Sequence, residues 1–337
     1  MESNGDTESD AQPKLTFADL NIPSVSTQPK DTPIGKIQRC QDLKAREILF
    51  MSLMLGSVLL ATGFTIYRMA VISRQSADFS FGILLLINAG FCIWFTIDGV
   101  LRERPSEIVM LCLATIIILF YIIFNFALGD KNSIKLARLI VASISCPGIT
   151  VVGLYCARKY YLSNHLIFRT VGAFQDMQNL YKNLLYFQDL LKFDLQVGCS
   201  IIVLVLDGND VEVHEIVILS LGGAFKIVWF ILGYIVMSRE IKIGAWVFLA
   251  LSPVEIAYII FKMYDVSTYI DTAKGLAAAT IVCITAALIV RLLAIVTAVF
   301  VYRGFGKGLK QKLFMSPVED GVGIVNQPTE QNSPSKF

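Results

Sequence analysis

Charge is scarce in this chain. Asp, Glu, Lys and Arg make up 17% of its 337 residues, while 55% are apolar, which is not the make-up of a water-soluble domain. Histidine is scarcer still: only His165 and His214 occur, far apart, so no metal site of the Cys/His type is expected. The seven cysteines, Cys40, Cys92, Cys112, Cys146, Cys156, Cys199 and Cys283, show no paired spacing. All but Cys40 lie in or at the end of apolar runs, which reads as packed thiols and not a disulfide framework. A basic stripe with interleaved aromatics is missing, which argues against nucleic acid as a partner. So are the nucleophile elbow, the His-Glu-x-x-His pair and the kinase motifs. Gly304-Phe305-Gly306-Lys307-Gly308 lacks the spacing of a phosphate-binding loop. The chain is therefore expected to be no enzyme and to need no cofactor. It offers no Asn-x-Ser/Thr acceptor and opens without a signal peptide, so the first apolar run is expected to serve as its own insertion signal.

Long apolar runs are what the chain has in abundance. They recur at about the 20-residue length that crosses a bilayer core. Eight segments are legible, at 48–67, 79–99, 108–128, 139–157, 190–206, 216–237, 243–263 and 275–302. The fifth is the weakest, since only Val197 to Leu206 is cleanly apolar; a seven-span reading with that segment re-entrant is the alternative. The expected fold is thus an all-α, polytopic integral membrane bundle in the lipid bilayer. Lys and Arg near the span ends collect on the side of Lys36, Arg39, Lys44, Arg46, Arg102, Arg104, Arg158, Lys159, Lys192, Arg239, Lys242 and Arg303, which makes both termini cytoplasmic. The acidic loop Asp207–Glu215 suits the opposite side. Which membrane holds the protein is not encoded.

The chain also echoes itself. Trp94-Phe95, Arg102-Glu103 and Tyr121-Ile122-Ile123-Phe124 return as Trp229-Phe230, Arg239-Glu240 and Tyr258-Ile259-Ile260-Phe261. Weak internal symmetry of this kind is a transporter signature. Two copies of four spans would enter the membrane in the same sense, as a parallel 4+4 repeat about a pseudo-two-fold axis. The expected organisation is a disordered N-tail (1–47), a first four-helix half (48–157), a cytoplasmic amphipathic linker helix (158–189), a second four-helix half (190–302), and a basic juxtamembrane segment with a disordered C-tail (303–337). In the linker, Ile167, Val171, Phe174, Met177, Tyr181, Leu184, Phe187 and Leu191 fall at three- and four-residue steps on one face.

Against this apolar background four ionisable residues stand out: Asp194, Lys226, Glu255 and Arg291. Each sits near the middle of a different span, where a charge costs roughly 2.5–3.5 kcal/mol on insertion scales. At 1.5 Å per residue all four fall within about 5 Å of one plane. Two acids and two bases balance, and Glu255–Arg291 and Asp194–Lys226 are the expected pairs. Gln196, Ser200 and Ser252 extend the polarity, while Pro253, Gly222-Gly223 and Cys146-Pro147-Gly148 suggest interrupted helices. In the first half the matching positions, Phe91 or Cys92 and Ile118, are apolar; its nearest polar residues are Asn88, Asp98 and Asn125. These features predict a transporter or channel for a small polar or ionic solute. Glu255 and Arg291 would line the site, with Lys226 and Asp194 as counter-ions. The alternative is a non-transporting receptor or scaffold whose midplane charges are structural pairs.

The tails add smaller signals. Lys307, Lys310 and Lys312 with Leu309, Leu313 and Phe314 form a basic amphipathic stretch suited to anionic lipid. Ser335-Lys336-Phe337 fits strand addition to a PDZ-type partner. Cys40 is a candidate for palmitoylation, and Thr32-Pro33, Ser316-Pro317 and Ser333-Pro334 for proline-directed phosphorylation.

Overall fold

The computed structural model describes residues 30–32, 35–37, 43–72, 77–128, 133–163, 165–172, 174–205, 213–268 and 274–314. Apart from a short antiparallel hairpin, β1 (Lys30–Thr32) and β2 (Gly35–Ile37), these residues are helical or in tight turns. The helices are α1 (Ala45–Val71), α2 (Ala77–Leu101), α3 (Pro105–Leu128), α4 (Ser133–Ser163), α5 (His165–Val171), α6 (Gln175–Val205), α7 (Val213–Ser238), α8 (Lys242–Thr268), α9 (Lys274–Arg303) and α10 (Leu309–Phe314). Seven of them, α1 to α4 and α7 to α9, are long and apolar enough to cross a membrane. Their outward faces carry large exposed apolar side chains such as Leu59, Ile144, Val151 and Leu221. So much apolar surface is stable only against lipid, and helices are the elements that satisfy their own backbone there. The chain is a multi-pass membrane helical protein.

The remaining long helix, α6, is not among those seven, yet it is the most enclosed element. It runs for 31 residues, about 46 Å at 1.5 Å per residue. From Leu184 to Leu204 almost every residue is buried. Its polar side chains lower its hydropathy, but they face other helices. One continuous helix thus carries both the amphipathic linker and the fifth apolar segment. Tyr181, Leu184, Phe187 and Leu191 of the linker face are buried, in one cluster with Ile167 and Val171 of α5 and with Trp229 and Phe248. Phe174, just before the helix, stays exposed.

The helices form two rings. α1 to α4 pack in succession and close with α1 against α4; α6 to α9 do the same, closing with α6 against α9. The rings meet through α2 and α3 on one side and α6 and α9 on the other. A two-fold axis would also pair α1 with α7 and α4 with α8, and neither pair makes more than marginal contact among the described residues. The expected pseudo-two-fold is not confirmed; the association seen among the described residues joins α2 and α3 to α6 and α9. Its physical reason lies on α6: Asp189, Lys192, Gln196 and Ser200, at three- and four-residue steps, are all buried and need partners on the other ring. α4 and α8 run unbroken through Pro147 and Pro253, so the expected interruptions are not formed; each proline removes one helical hydrogen bond without unwinding the chain.

Two turns are built alike. After α2, Arg102 N–H donates to Asp98 O at 3.0 Å and Arg104 N–H to Gly99 O at 2.9 Å. After α7, Arg239 N–H donates to Ile235 O at 2.9 Å and Ile241 N–H to Val236 O at 3.0 Å. Between them Glu103 (φ 48°) and Glu240 (φ 54°) are the non-glycine residues in the left-handed region among those described. This is the Schellman arrangement, in which the residue after the helix turns left-handed so that the next N–H can reach back.

Candidate functional site

The four midplane charges meet inside the second ring, one from each of its helices. Lys226 Nζ of α7 lies 3.3 Å from Asp194 Oδ2 of α6 and 3.2 Å from Glu255 Oε2 of α8. Arg291 of α9 places Nη2 2.8 Å from the same Asp194 oxygen and also contacts Glu255 Oε2. The two separate pairs expected from the sequence are thus a closed four-membered cycle in which each cation touches both anions. Local packing explains how the long side chains reach. Gly198 clears a path for Lys226, since a Cβ there would stand 3.1 Å from Lys226 Cε. The Arg291 guanidinium sits 5.7 Å from the centroid of the Trp229 ring, a favourable cation–π position, and Trp229 stacks on Phe248 at 4.4 Å. One helical turn away, Ser252 on α8 donates to Phe248 O at 2.9 Å and is spent on its own backbone.

Burial of this quartet is nearly complete. Side-chain exposure is greatest at Lys226, 13%, and zero at Arg291. Hydrogen bonding is not complete. Asp194 Oδ1, Glu255 Oε1 and Arg291 Nε and Nη1 are buried without a hydrogen-bond partner. Such atoms are costly unless something fills them.

The opposite stripe of α6 holds the first ring. Gln196 Nε2 donates to Asn88 Oδ1 at 2.7 Å, and Asn88 Nδ2 donates to Ser200 Oγ at 3.0 Å. Toward the Arg-rich end, Arg104 Nη1 donates to Asp189 Oδ1 at 3.2 Å, and Ser106 donates to the other oxygen of that carboxylate. Lys192 Nζ reaches Glu107 Oε1 at 2.6 Å and also Asp98, which Arg102 holds from the other side at 2.7 Å. Burial works against the charge of Arg104, but Asp189, Glu107 and Asp98 hold its guanidinium above the ordinary arginine range. Sequence reasoning takes Arg102, Arg104 and Lys192 as membrane-edge charges and leaves Asp98 and Asp189 without a role. The signal that marks them is the spacing Asp189, Lys192, Gln196, Ser200 along a helix that is otherwise apolar on that side.

A cavity of about 90 Å³ lies in the first ring, not beside the quartet. Ile118, matched by the internal echo to Glu255, lines it together with Thr65, Thr115 and Cys146; of Phe91 and Cys92, the two candidates matched to Lys226, Cys92 lines it and Phe91 does not. Where the second ring gathers four charges, the first leaves a cavity with one charged residue, Arg138, in a largely apolar wall. Thr65 and Thr115 donate to carbonyls of their own helices at 2.7 and 2.8 Å, and Arg138 stands in the wall. Cys92, Cys112, Cys146, Cys156, Cys199 and Cys283 are all free thiols. Residues 1–29, Pro33, Cys40, the acidic stretch 207–212, the Ser-Pro pairs of the C-tail and Ser335–Phe337 lie outside the described residues, as does the side chain of Lys312.

Fold and site together define a multi-pass membrane helical protein whose enclosed helix α6 is bonded to one ring by a polar stripe and to the other by a charge quartet. A family model for a domain of unknown function, DUF7789, matches residues 34–158 and 171–300. The chain belongs to that family. The two matched segments cover most of the first ring and of α6 to α9. No curated protein and no solved structure matches the chain.

Proposed function

We propose that this protein moves a small polar or ionic solute across its membrane, with the charge quartet as the site and no catalytic step. The observation that supports this is the set of four unpartnered polar atoms on Asp194, Glu255 and Arg291. A cluster serving only to fasten helices gains from satisfying every buried atom, because a half-satisfied buried network is worse than an apolar contact. A site that accepts an ion, a water or a solute group leaves acceptors and donors open. In this reading Glu255 and Arg291 contact the solute, Asp194 and Lys226 balance charge, and Glu255 carries the proton or cation. α6 serves as an eighth crossing, both termini lie in the cytoplasm, and the two rings are a tandem of one four-helix unit in which only the second keeps the site. The test is uptake of a panel of small ions and zwitterions into proteoliposomes. Glu255→Gln should abolish flux per molecule of folded, reconstituted protein, even though loss of one charge of the quartet lowers its thermal midpoint. Equal flux in the variant and the parent would overturn the reading.

A second reading has its own support. Each cation touches both anions and no side chain of the quartet is more than 13% exposed, as an interhelical fastening in a receptor or scaffold requires. In that case Glu255→Gln destabilises the protein and no solute of the panel moves in either form.

A further inference from the structure

The turn after α7 does something that its counterpart after α2 does not. Glu240, held in the left-handed region, aims its carboxylate at the chain that follows α9. Its Oε2 accepts the N–H of Gly306 at 3.0 Å and its Oε1 accepts the N–H of Lys310 at 3.2 Å. One side chain thus fixes the 306–310 segment against the α7–α8 turn. The consequence is electrostatic. Arg239 and Lys242, which flank Glu240, are brought beside Lys307 and Lys310, and all four are exposed. None forms an ion pair among the described residues. In the first ring the corresponding cations are consumed: Arg102 is paired with Asp98 and Arg104 with Asp189, and both are buried. Glu240 bonds only neutral backbone donors and keeps its single charge, so the second turn carries four cations against one carboxylate.

That patch borders an apolar belt. Ile243 is 80% and Trp246 62% exposed. Trp246 donates its indole N–H to Tyr302 Oη at 2.9 Å, which ties the start of α8 to the end of α9. A tryptophan with an apolar body and a bonded polar edge marks the headgroup level of a bilayer. Cations just beyond that level meet lipid phosphates.

We infer that Arg239, Lys242, Lys307 and Lys310, assembled by Glu240, form a binding site for the headgroup of an anionic phospholipid. Coulomb attraction of this kind is worth about a fivefold change in affinity per cation near the surface. It does not depend on what the quartet does.

Trp246 is the reporter. The full-length protein carrying Trp94→Phe is reconstituted in phosphatidylcholine vesicles with brominated phosphatidylserine or brominated phosphatidylcholine at equal mole fraction. Trp229, 1% exposed, stays shielded from the quencher. The expected result is several-fold stronger quenching by the anionic lipid. That preference should be lost when Arg239, Lys242, Lys307 and Lys310 are all changed to Gln, at unchanged thermal midpoint. Lys307→Gln with Lys310→Gln, which leaves the backbone donors to Glu240 and the other two cations in place, should reduce it partway and covers the case in which the fourfold variant does not fold. Equal quenching by both lipids in the parent, or an undiminished preference in both variants, would overturn the inference. So would loss of the preference on adding tens of millimolar inorganic phosphate at constant ionic strength, since the site would then be a general anion site.

Discussion

Removing Arg291 is the perturbation with the largest expected effect. In the parent, two cations face two anions inside the second ring. Arg291→Met leaves Asp194 and Glu255 facing Lys226 alone, with one uncompensated negative charge where no side chain of the four is more than 13% exposed. Breaking a buried ion pair by deleting one partner costs about 3–5 kcal/mol, and the upper half of that range applies because Arg291 touches both carboxylates. Asp194→Asn strands a positive charge in the same way. The double variant restores balance as a single Lys226–Glu255 pair, so most of the loss should be recovered. The assay is equilibrium unfolding of the purified protein by denaturant titration in detergent, for the parent, both single variants and the double. The cycle should give a coupling of at least about 2 kcal/mol, well above the ~0.5 kcal/mol that independent sites show. Additive losses would refute the closed four-membered cycle and with it the charge-balance argument.

Four further outcomes follow from particular contacts. Lys192→Met strands Glu107 at the junction of the rings, while Asp98 keeps Arg102, and should cost about 3–5 kcal/mol, read in the same titration; a loss below about 1 kcal/mol would mean that Glu107 takes up a proton at no cost. Gly198→Val pushes a branched side chain onto the Lys226 stem and should cost about 1–3 kcal/mol, but clearly less in a Lys226→Met background; an equal cost in both would place the crowding elsewhere. Gly233→Ala puts a Cβ 2.7 Å from Phe248 Cε2 and 2.9 Å from Leu191 Cδ2, and a lowered thermal midpoint is expected by the same overpacking. Glu240→Gly relieves a left-handed residue yet deletes the bonds to Gly306 and Lys310, so trypsin should cut after Lys307 and Lys310 several-fold faster than in the parent; an unchanged rate would show that the clamp does not hold this segment.

Legibility in the sequence tracks whether a residue breaks its background. Asp194, Lys226, Glu255 and Arg291 are each the lone charge in the middle of an apolar run, so their depth and shared plane follow from residue spacing alone, and they meet. Their pairing does not follow fully, because depth along a helix says nothing of azimuth: Lys226 bridges Asp194 and Glu255 only because Gly198 lets it pass. The seven apolar helices are equally plain, though α4 (Ser133–Ser163) overruns its expected span at both ends. α6 is obscured for the opposite reason. Hydropathy picks out helices that face lipid, and Asp189, Lys192, Gln196 and Ser200 of α6 face protein. The junction cluster is masked by a competing explanation, since Arg102, Arg104 and Lys192 satisfy the positive-inside rule and so raise no question. The left-handed glutamates carry no sequence signal of their own beyond the repeated Arg-Glu pair; glycine is the residue that usually marks such a turn.

The central claim is that the quartet opens to water. Cys199 is a native probe: it is half-buried on α6, next to Gly198 and within electrostatic reach of Lys226 and Asp194. With Cys40 and Cys146 replaced by serine, the reconstituted protein is exposed to a membrane-impermeant thiol reagent from each side in turn. Labelling of Cys199 from at least one side is expected, with a rate that changes in Glu255→Gln. No labelling from either side, with full labelling after denaturation, would mean a dry quartet that only holds its helices together.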